Sequence, residues 1–385
     1  MPWPEKSLMS LRKEFISLAM NEGANICQLC RGFQISRKTG YKWLARFLRE
    51  GDRGLRDRPR RPWGSPRNTA PEMEAAVLQL RDQHPAWGGR KLRARLQAMD
   101  AGPVPVASTI TAILRRHGRL DPEAAAKHRP WQRFEAPGPN ELWQMDFKGH
   151  FPAAQGRCHP LTVLDDHSRY ALGLEACADE QTLTVRQRLT SIFRRYGLPR
   201  RFLLDNGAPW GSYAEHPYTP LTVWLMRLGL QVSHSRPYHP QTLGKDERFH
   251  RTLNAELLKY CQGLELADCQ RRFHDWRLLY NLERPHEALD LAVPASRYRE
   301  SPRSFPETLL PLEYGPGNQV RKVEVNGFIH YRNRKFRIGK AFRGEYVALR
   351  PTLTDGVVEV FFANQRLAQI DLHLTFDDDL SLKTL

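Results

Sequence analysis

Apolar positions recur at helical spacing through the first 120 residues, then switch to strand-like alternation. Residues 8–21 predict a helix, and ANICQLCRGF a short second one closed by Gly32. The stretch SRKTGYKWLARFLREG predicts a third, with Ser36 as its cap, Gly51 as its stop, and Ile35, Trp43, Leu44 and Phe47 as its packing side. Helix, Gly-containing turn and helix in this order is a helix-turn-helix layout. A second helical unit follows, with helices over 71–84 (Pro71 at its start), 87–99 and 106–118. The loop AGPVPV separates the last two, again in helix-turn-helix manner.

From residue 141 the period shortens. Segments 141–151, 158–168 and 169–177 predict a three-stranded meander with turns at 154–157 and 165–168. A helix over 180–196 ends at Gly197-Leu198-Pro199, then come a strand at 201–206, a helix at 219–229 and a strand at 230–235. After the loop 236–245 a helix runs over 246–260, with Phe249, Leu253, Leu257 and Tyr260 as its apolar stripe. Glu247, His250, Arg251 and Asn254 fall on its other side. This order describes a mixed sheet flanked by helices. Residues 318–373 are again strand-like, with VNGF as a hairpin signal. They predict a small barrel with a basic segment at Arg332, Arg334, Lys335 and Arg337. The expected fold class is therefore multidomain: N-terminal all-α helix-turn-helix units, a central α/β core and a C-terminal small β-barrel. The expected boundaries are 1–50, linker 51–68, 69–118, linker 119–140, 141–300 and 318–375.

Composition changes the picture in one respect. The 385 residues are 41% hydrophobic, enough for real cores, yet carry a formal charge of +17. Residues 1–140 hold 26 Lys and Arg against 13 Asp and Glu, so most of the surplus sits on the two helical units, where DNA reading is expected. Arg37, Lys38, Thr39, Tyr41 and Lys42 fall in the first turns of the reading helix, and Arg115 and Arg116 suit phosphates. Segment 51–68 carries six Arg, among them Arg58, Arg60 and Arg61, between Gly and Pro residues. It can lie along a DNA groove or serve equally as a solvated linker. The six Cys are scattered, and Cys27-x-x-Cys30 has no second pair at zinc-finger spacing. The start MPWPEKSLMS has no signal pattern, and no run nears the ~20 apolar residues of a membrane span. A reduced cytoplasmic protein, associated with the nucleoid and not with a membrane, is expected.

Three acids stand out: Asp146 in LWQMDF, Asp205 in RFLLDNG and Glu247 in HPQTLGKDERFHRTL. Asp is depleted in strands, because its side chain competes for backbone hydrogen bonds and is costly to bury. A shared divalent cation gives such residues a purpose. Carboxylate oxygens suit Mg²⁺ or Mn²⁺, and two such ions ~3.5–4 Å apart form the clamp of phosphodiester chemistry. Neighbouring strands ~4.8 Å apart would bring Asp146 and Asp205 together, with Glu247 reaching in from the first helical turn. Asp246 is the rival third acid but points about 100° away around the helix. Asp165 and Asp166 read as turn formers. Lys245 and Arg248 can hold phosphates, and Tyr238, His239 and Gln241 lie on a loop poised to touch an unpaired strand end. For His239 a turn or capping role is equally open. Asn206 and Gly207 fit a tight turn after the strand.

The segments LWQMDFKG, LTVLDDHSRY, LLDNG and above all SRPYHPQTLGKDERFHRTL closely resemble the integrase core of bacterial insertion-sequence transposases, the DDE group that also holds retroviral integrases. The resemblance is strong over residues 140–300. It implies an RNase H-like core in which Asp146, Asp205 and Glu247 bind two Mg²⁺ or Mn²⁺ ions. It further implies double-stranded DNA as partner: terminal inverted repeats are recognised, element ends cut and their 3′ ends joined to target DNA. Two ends must be held together, so a homodimer or larger homo-oligomer is expected. One departure is the 41 residues between Asp205 and Glu247, longer than in retroviral-type cores, with 208–220 as the added loop. The alternative is a catalytically silent DNA-binding regulator derived from such an enzyme; loss of an acid would favour it, and none is lost.

Overall fold

The computed structural model describes residues 7–58, 69–120, 135–211, 218–234 and 244–373. The chain forms two compact units, Met1–Asn68 and Thr69–Leu385.

In the first unit α1 (Leu8–Ala19), α2 (Ile26–Gly32) and α3 (Arg37–Glu50) are capped by Ser7, Asn25 and Ser36, each accepting the backbone N–H three residues on. Phe15, Ile16, Cys30, Trp43 and Leu55 form the core. Gly32 is the last helical residue of α2 and not its stop; the left-handed position is Gln34, at φ +56°. Gly40 is one glycine that this unit requires. A β-carbon there would overlap the Cys30 sulfur, so only Gly lets α3 approach α2 this closely.

The second unit begins with α4 (Pro71–Gln83), α5 (Gly89–Ala98) and α6 (Ala107–Arg116), packed around Val77, Trp87, Leu92, Ile110 and Leu114. Trp87 precedes α5 and stacks on His84 at 3.9 Å.

The central sheet contains β1 (Leu142–Phe147), β2 (Phe151–Pro152), β3 (Arg157–Asp165), β4 (Ala171–Cys177), β5 (Arg201–Leu204) and β6 (Gln231–His234). β3 lies between β4 and β1 with antiparallel pairing, while β1, β5 and β6 follow one another in parallel. The short β2 extends the sheet beside the start of β3. One face packs Trp143, Met145, Leu161 and Val163 against α7 (Thr182–Tyr196) and α8 (Pro220–Arg227). The other meets α9 (Gly244–Glu256) and α10 (Leu266–Leu282). The sequence reading did not anticipate α10, although its buried Cys269, Phe273, Trp276 and Tyr280 have helical spacing. This helix closes an edge of the sheet. The Gln270 amide accepts from Ala176 N (2.8 Å) and donates to Leu174 O (3.1 Å), and the Asn281 amide bonds Ala171 in the same two-way fashion. Side-chain amides thus take the place of a missing strand along β4.

The C-terminal region contains β7 (Gln319–Lys322), β8 (Phe328–Tyr331), β9 (Arg334–Arg337), β10 (Tyr346–Pro351), β11 (Val357–Phe362) and β12 (Gln365–Asp371). The expected closed barrel does not form among the described residues. Instead β12-β11-β10-β7 make one antiparallel sheet, and β8–β9 a separate hairpin. The hairpin turn is at Arg332 and Asn333, both with positive φ (46° and 62°), and not at VNGF: β7 pairs with β10 instead of β8. Val347, Val360, Ile329 and Phe336 join the same core as the central sheet, and the Gln365 amide bonds both Val232 backbone groups on the β6 edge at 2.9 Å.

Candidate active site

Asp146 occupies the penultimate position of β1, and Asp205 follows the last residue of β5. These strands pair in parallel with Gln144 opposite Leu203; continued two residues, that register sets Asp146 level with Asp205. Alternation puts Asp146 on the face opposite Trp143 and Met145, towards α9. Asp205 accepts the Gly207 N–H at 3.1 Å, so the tight turn expected at Asn206–Gly207 is present and orients the carboxylate.

Burial, followed by the charge of Asp205, lifts the Asp146 carboxyl from its ordinary 3.8 to about 7. Burial also raises Asp205, against the hydrogen bond from Gly207. Two desolvated carboxylates facing one another without a cation is a costly arrangement. The sequence reading missed three neighbours. Glu180, just before α7, adds its negative charge to both aspartates and holds His159 Nδ1 at 2.8 Å. His234, the β6 residue paired with Leu204, faces Asp205 and contacts Trp210 O at 3.2 Å. His250, assigned from periodicity to the polar side of its helix, is buried against the site. Thr162 Oγ1 donates to Asp146 O (2.9 Å) and lies 2.8 Å from His250 Nε2. Since the Thr162 proton is committed, Nε2 carries the His250 hydrogen. The bare Nδ1 then lies 3.9 Å from Asp146 Oδ2. Burial lowers the His250 pKa to about 4, so this ring is neutral at pH 7. No spacing signal in the sequence ties Glu180 or His234 to Asp146.

On α9 the orientation of the two acids is the reverse of the periodicity argument. Asp246 is turned inward and is 1% exposed, with neither carboxylate oxygen hydrogen-bonded; burial and then Asp146 raise its pKa strongly. Glu247 is exposed in the first turn. Among the described residues no three His, Cys, Asp or Glu side chains form a ready metal cage. The structure brings Asp146 and Asp205 together and leaves Glu247 outside that pair.

Comparison with known proteins bears on what this arrangement is. Residues 136–240 and 228–294 match families described as integrase core domain, and 318–377 match the C-terminal domain of IS481 family transposases. Together these matches support a DDE-type insertion-sequence transposase with a retroviral-type integrase core. Residues 11–62 match a helix-turn-helix domain and 39–114 a homeodomain-like domain. An insertion element IS407 protein of Burkholderia multivorans, uncharacterized and of 31.7 kDa, is 27% identical over 46% of this chain and 64% of its own length. The Gag-Pol polyprotein of baboon endogenous virus is 26% identical over 64% of this chain and 13% of its own length. The chain thus spans less than two thirds of either relative. The HTLV-2 integrase catalytic core domain, solved in complex with magnesium, overlaps 43% of this chain and all of its own at 15% identity, with a TM-score of 0.34.

The remaining candidates in this transposase-type chain fall into three groups. Arg37, Lys38, Tyr41 and Lys42 are exposed on α3, with Thr39 half-buried and its hydroxyl 2.9 Å from Ser36. Arg115 and Arg248 are also exposed. Others are engaged internally: Arg58 with Glu50, Arg116 with both Glu74 oxygens at 2.7 Å, and Lys245 with the buried Asp166 carboxylate at 2.5 Å. Arg60, Arg61, Tyr238, His239 and Gln241, with much of the 208–220 loop, lie outside the described residues. Asp165 is a turn former, accepting from Ser168 N and Asn140 N, whereas Asp166 anchors Ala136 N and Gln144 as well as Lys245. All six cysteines are free thiols. Among the described residues no helix is long and apolar enough to cross a membrane.

Proposed function

We propose that this chain binds the terminal inverted repeats of a mobile DNA element, cuts at the element ends and joins their 3′ ends to target DNA. The observation that supports this reading is the level placement of Asp146 and Asp205 at the ends of adjacent parallel strands in an integrase-type core. The donor set fits a divalent cation: hard carboxylate oxygens, desolvated and mutually repulsive, whose ionisation a cation favours. Asp146, Asp205 and Glu247 are the residues to hold Mg²⁺ or Mn²⁺. Two such ions, when bound, supply charge stabilisation for phosphodiester hydrolysis and transesterification.

The protein's own residues set the stage for that chemistry. Neutral His250 and Thr162 fix the backbone carbonyl of Asp146 and add no competing positive charge beside its carboxylate. Glu180 adds negative charge, which favours cation uptake. On α3, Arg37, Lys38, Thr39, Tyr41 and Lys42 read the repeat, with Arg58, Arg60 and Arg61 following the adjacent backbone. Arg115, Arg116, Lys245 and Arg248 contact phosphates, and Tyr238, His239 and Gln241 hold the unpaired end. A homodimer or larger assembly on DNA, working in the cytoplasm at the nucleoid, completes the proposal.

The test is a cleavage and joining assay on a duplex carrying the repeat beside the coding region, with Mg²⁺ or Mn²⁺. Wild type yields products at the repeat boundary and joined target DNA; Asp205→Asn yields neither. Tight repeat binding by wild type without metal-dependent products would replace the enzyme by a DNA-binding regulator.

A further inference from the structure

Between α7, α8 and the segment after β9 lies a cavity of about 570 Å³. It is separate from the carboxylate site, and the chemistry proposed above does not use it. Its walls combine cations and aromatic rings: Arg186 from α7, Tyr218, Trp224 and Arg227 at and along α8, and Lys340 and Arg343 from the C-terminal region. Glu345 is the acid of the lining, and it is already taken by Arg227 Nη1 at 3.4 Å. Arg186, Lys340 and Arg343 are exposed, and none has a carboxylate partner among the described residues. Three uncompensated cations around one cavity repel each other, and an anion between them removes that cost. The aromatic side is equally specific. The Arg186 guanidinium stands 5.1 Å from the centroid of the buried Trp224 ring, and Tyr218, half-buried, lines the same cavity. The volume falls in the range of about 300–1,000 Å³ that encloses small organic ligands and exceeds what a lone phosphate fills.

We propose that this cavity binds a nucleoside phosphate, with the phosphate held by Arg186, Lys340 and Arg343 and the base against Tyr218. The shared chemistry, a planar π-face next to a phosphate anion, is met by a free nucleotide and by one nucleotide of a DNA strand. Tyr218 also packs edge-on to His234 at 6.4 Å, and His234 faces Asp205, so the cavity adjoins the carboxylate site through one ring. The inference does not depend on the cutting and joining chemistry.

The experiment uses the full chain and a fluorescent deoxyadenosine triphosphate as probe, displaced in turn by unlabelled nucleotide, a single-stranded tetranucleotide and inorganic phosphate. A triple variant, Arg186→Ala, Lys340→Ala and Arg343→Ala, removes exposed groups only. Its retained binding of a blunt repeat duplex serves as the check on folding and on DNA reading. The expected result is saturable binding by wild type and a loss of roughly 30-fold or more in the variant, as fits three charge-assisted contacts. The tetranucleotide should lose about 0.7 from its salt slope, the value for one phosphate contact. Displacement by the tetranucleotide at far lower concentration than by free nucleotide identifies a DNA strand as the source; the reverse order identifies a free nucleotide, and failure of unlabelled nucleotide to displace the probe overturns the proposal. Undiminished binding in the variant, no binding by wild type at millimolar probe, or displacement by inorganic phosphate as effective as by nucleotide would each overturn the proposal. A wild type that fails on the blunt duplex alone would count against the DNA reading and leave this inference standing.

Discussion

Replacing Asp146 by Asn should stabilise the protein at alkaline pH while removing its response to metal. The folded-state pKa of about 7 lies far above the ordinary 3.8, so the native carboxyl holds its proton more tightly than the unfolded one. As pH falls through 3.8 the unfolded carboxyl also takes up its proton, and the residue's contribution fades to nothing. As pH rises towards 7 the unfolded chain loses its proton first, and native stability falls; above about 7 the loss is complete. At ~1.4 kcal/mol per pH unit the full displacement corresponds to about 4 kcal/mol. The Asp146 side chain is 27% exposed, so solvent screening reduces this to about 2 kcal/mol. For a unit of this size that is a rise in Tm of roughly 3 °C. The assay is thermal unfolding followed by circular dichroism, wild type against Asp146→Asn, at pH 8 and pH 4, in EDTA and then in excess Mg²⁺. The variant should melt higher at pH 8 in EDTA and match wild type at pH 4. Mg²⁺ should raise wild type by the ~2.7 kcal/mol expected at a hundredfold excess over Kd and leave the variant unmoved. A variant no more stable than wild type at pH 8, or equally favoured at pH 4, would refute the account of the paired carboxylates.

The same metal-dependent shift separates the two acids of α9. Glu247→Gln should keep wild-type stability in EDTA and lose the Mg²⁺ response, whereas Asp246→Asn should melt higher in EDTA and keep it; the opposite pattern makes Asp246 the ligand. Arg284 and Glu256 form a bidentate pair at 2.9–3.1 Å with side chains 7% and 9% exposed. Glu256→Ala leaves the guanidinium buried and unpaired, so urea unfolding should show a loss of about 3–5 kcal/mol, and a loss under 1 kcal/mol would mean water reaches it. Burial, then Arg284, lowers the Lys91 pKa to about 8, so its charged form destabilises the native state at pH 7 and is relieved as pH rises through 8 to 10.5. Lys91→Met should therefore gain up to about 3 kcal/mol at pH 7 and nothing at pH 10.5, which unfolding curves at the two pH values will check.

Signals carried within a few residues were legible in the sequence. Ser36 caps α3 and Gly51 ends it because capping is settled by one side chain and the next turn of backbone. The three-stranded meander and the Asp residues at the ends of β1 and β5 could be read from alternation. The integrase-type core was legible in its motifs. Tertiary structure decided whatever depends on pairing between distant segments. Which acid of α9 faces the sheet depends on how the helix docks against β1, and a single-residue difference in phase exchanged the expected places of Asp246 and Glu247. Likewise β7 found β10 and not its neighbour β8, which left two ladders where periodicity alone suggested a barrel. The amides of Gln270, Asn281 and Gln365 that close the edges of the central sheet carry no local signature, since a polar residue on a helix or strand end looks the same whether it meets water or a bare strand. Local chemistry selects elements; only the packed chain determines which of their faces meet.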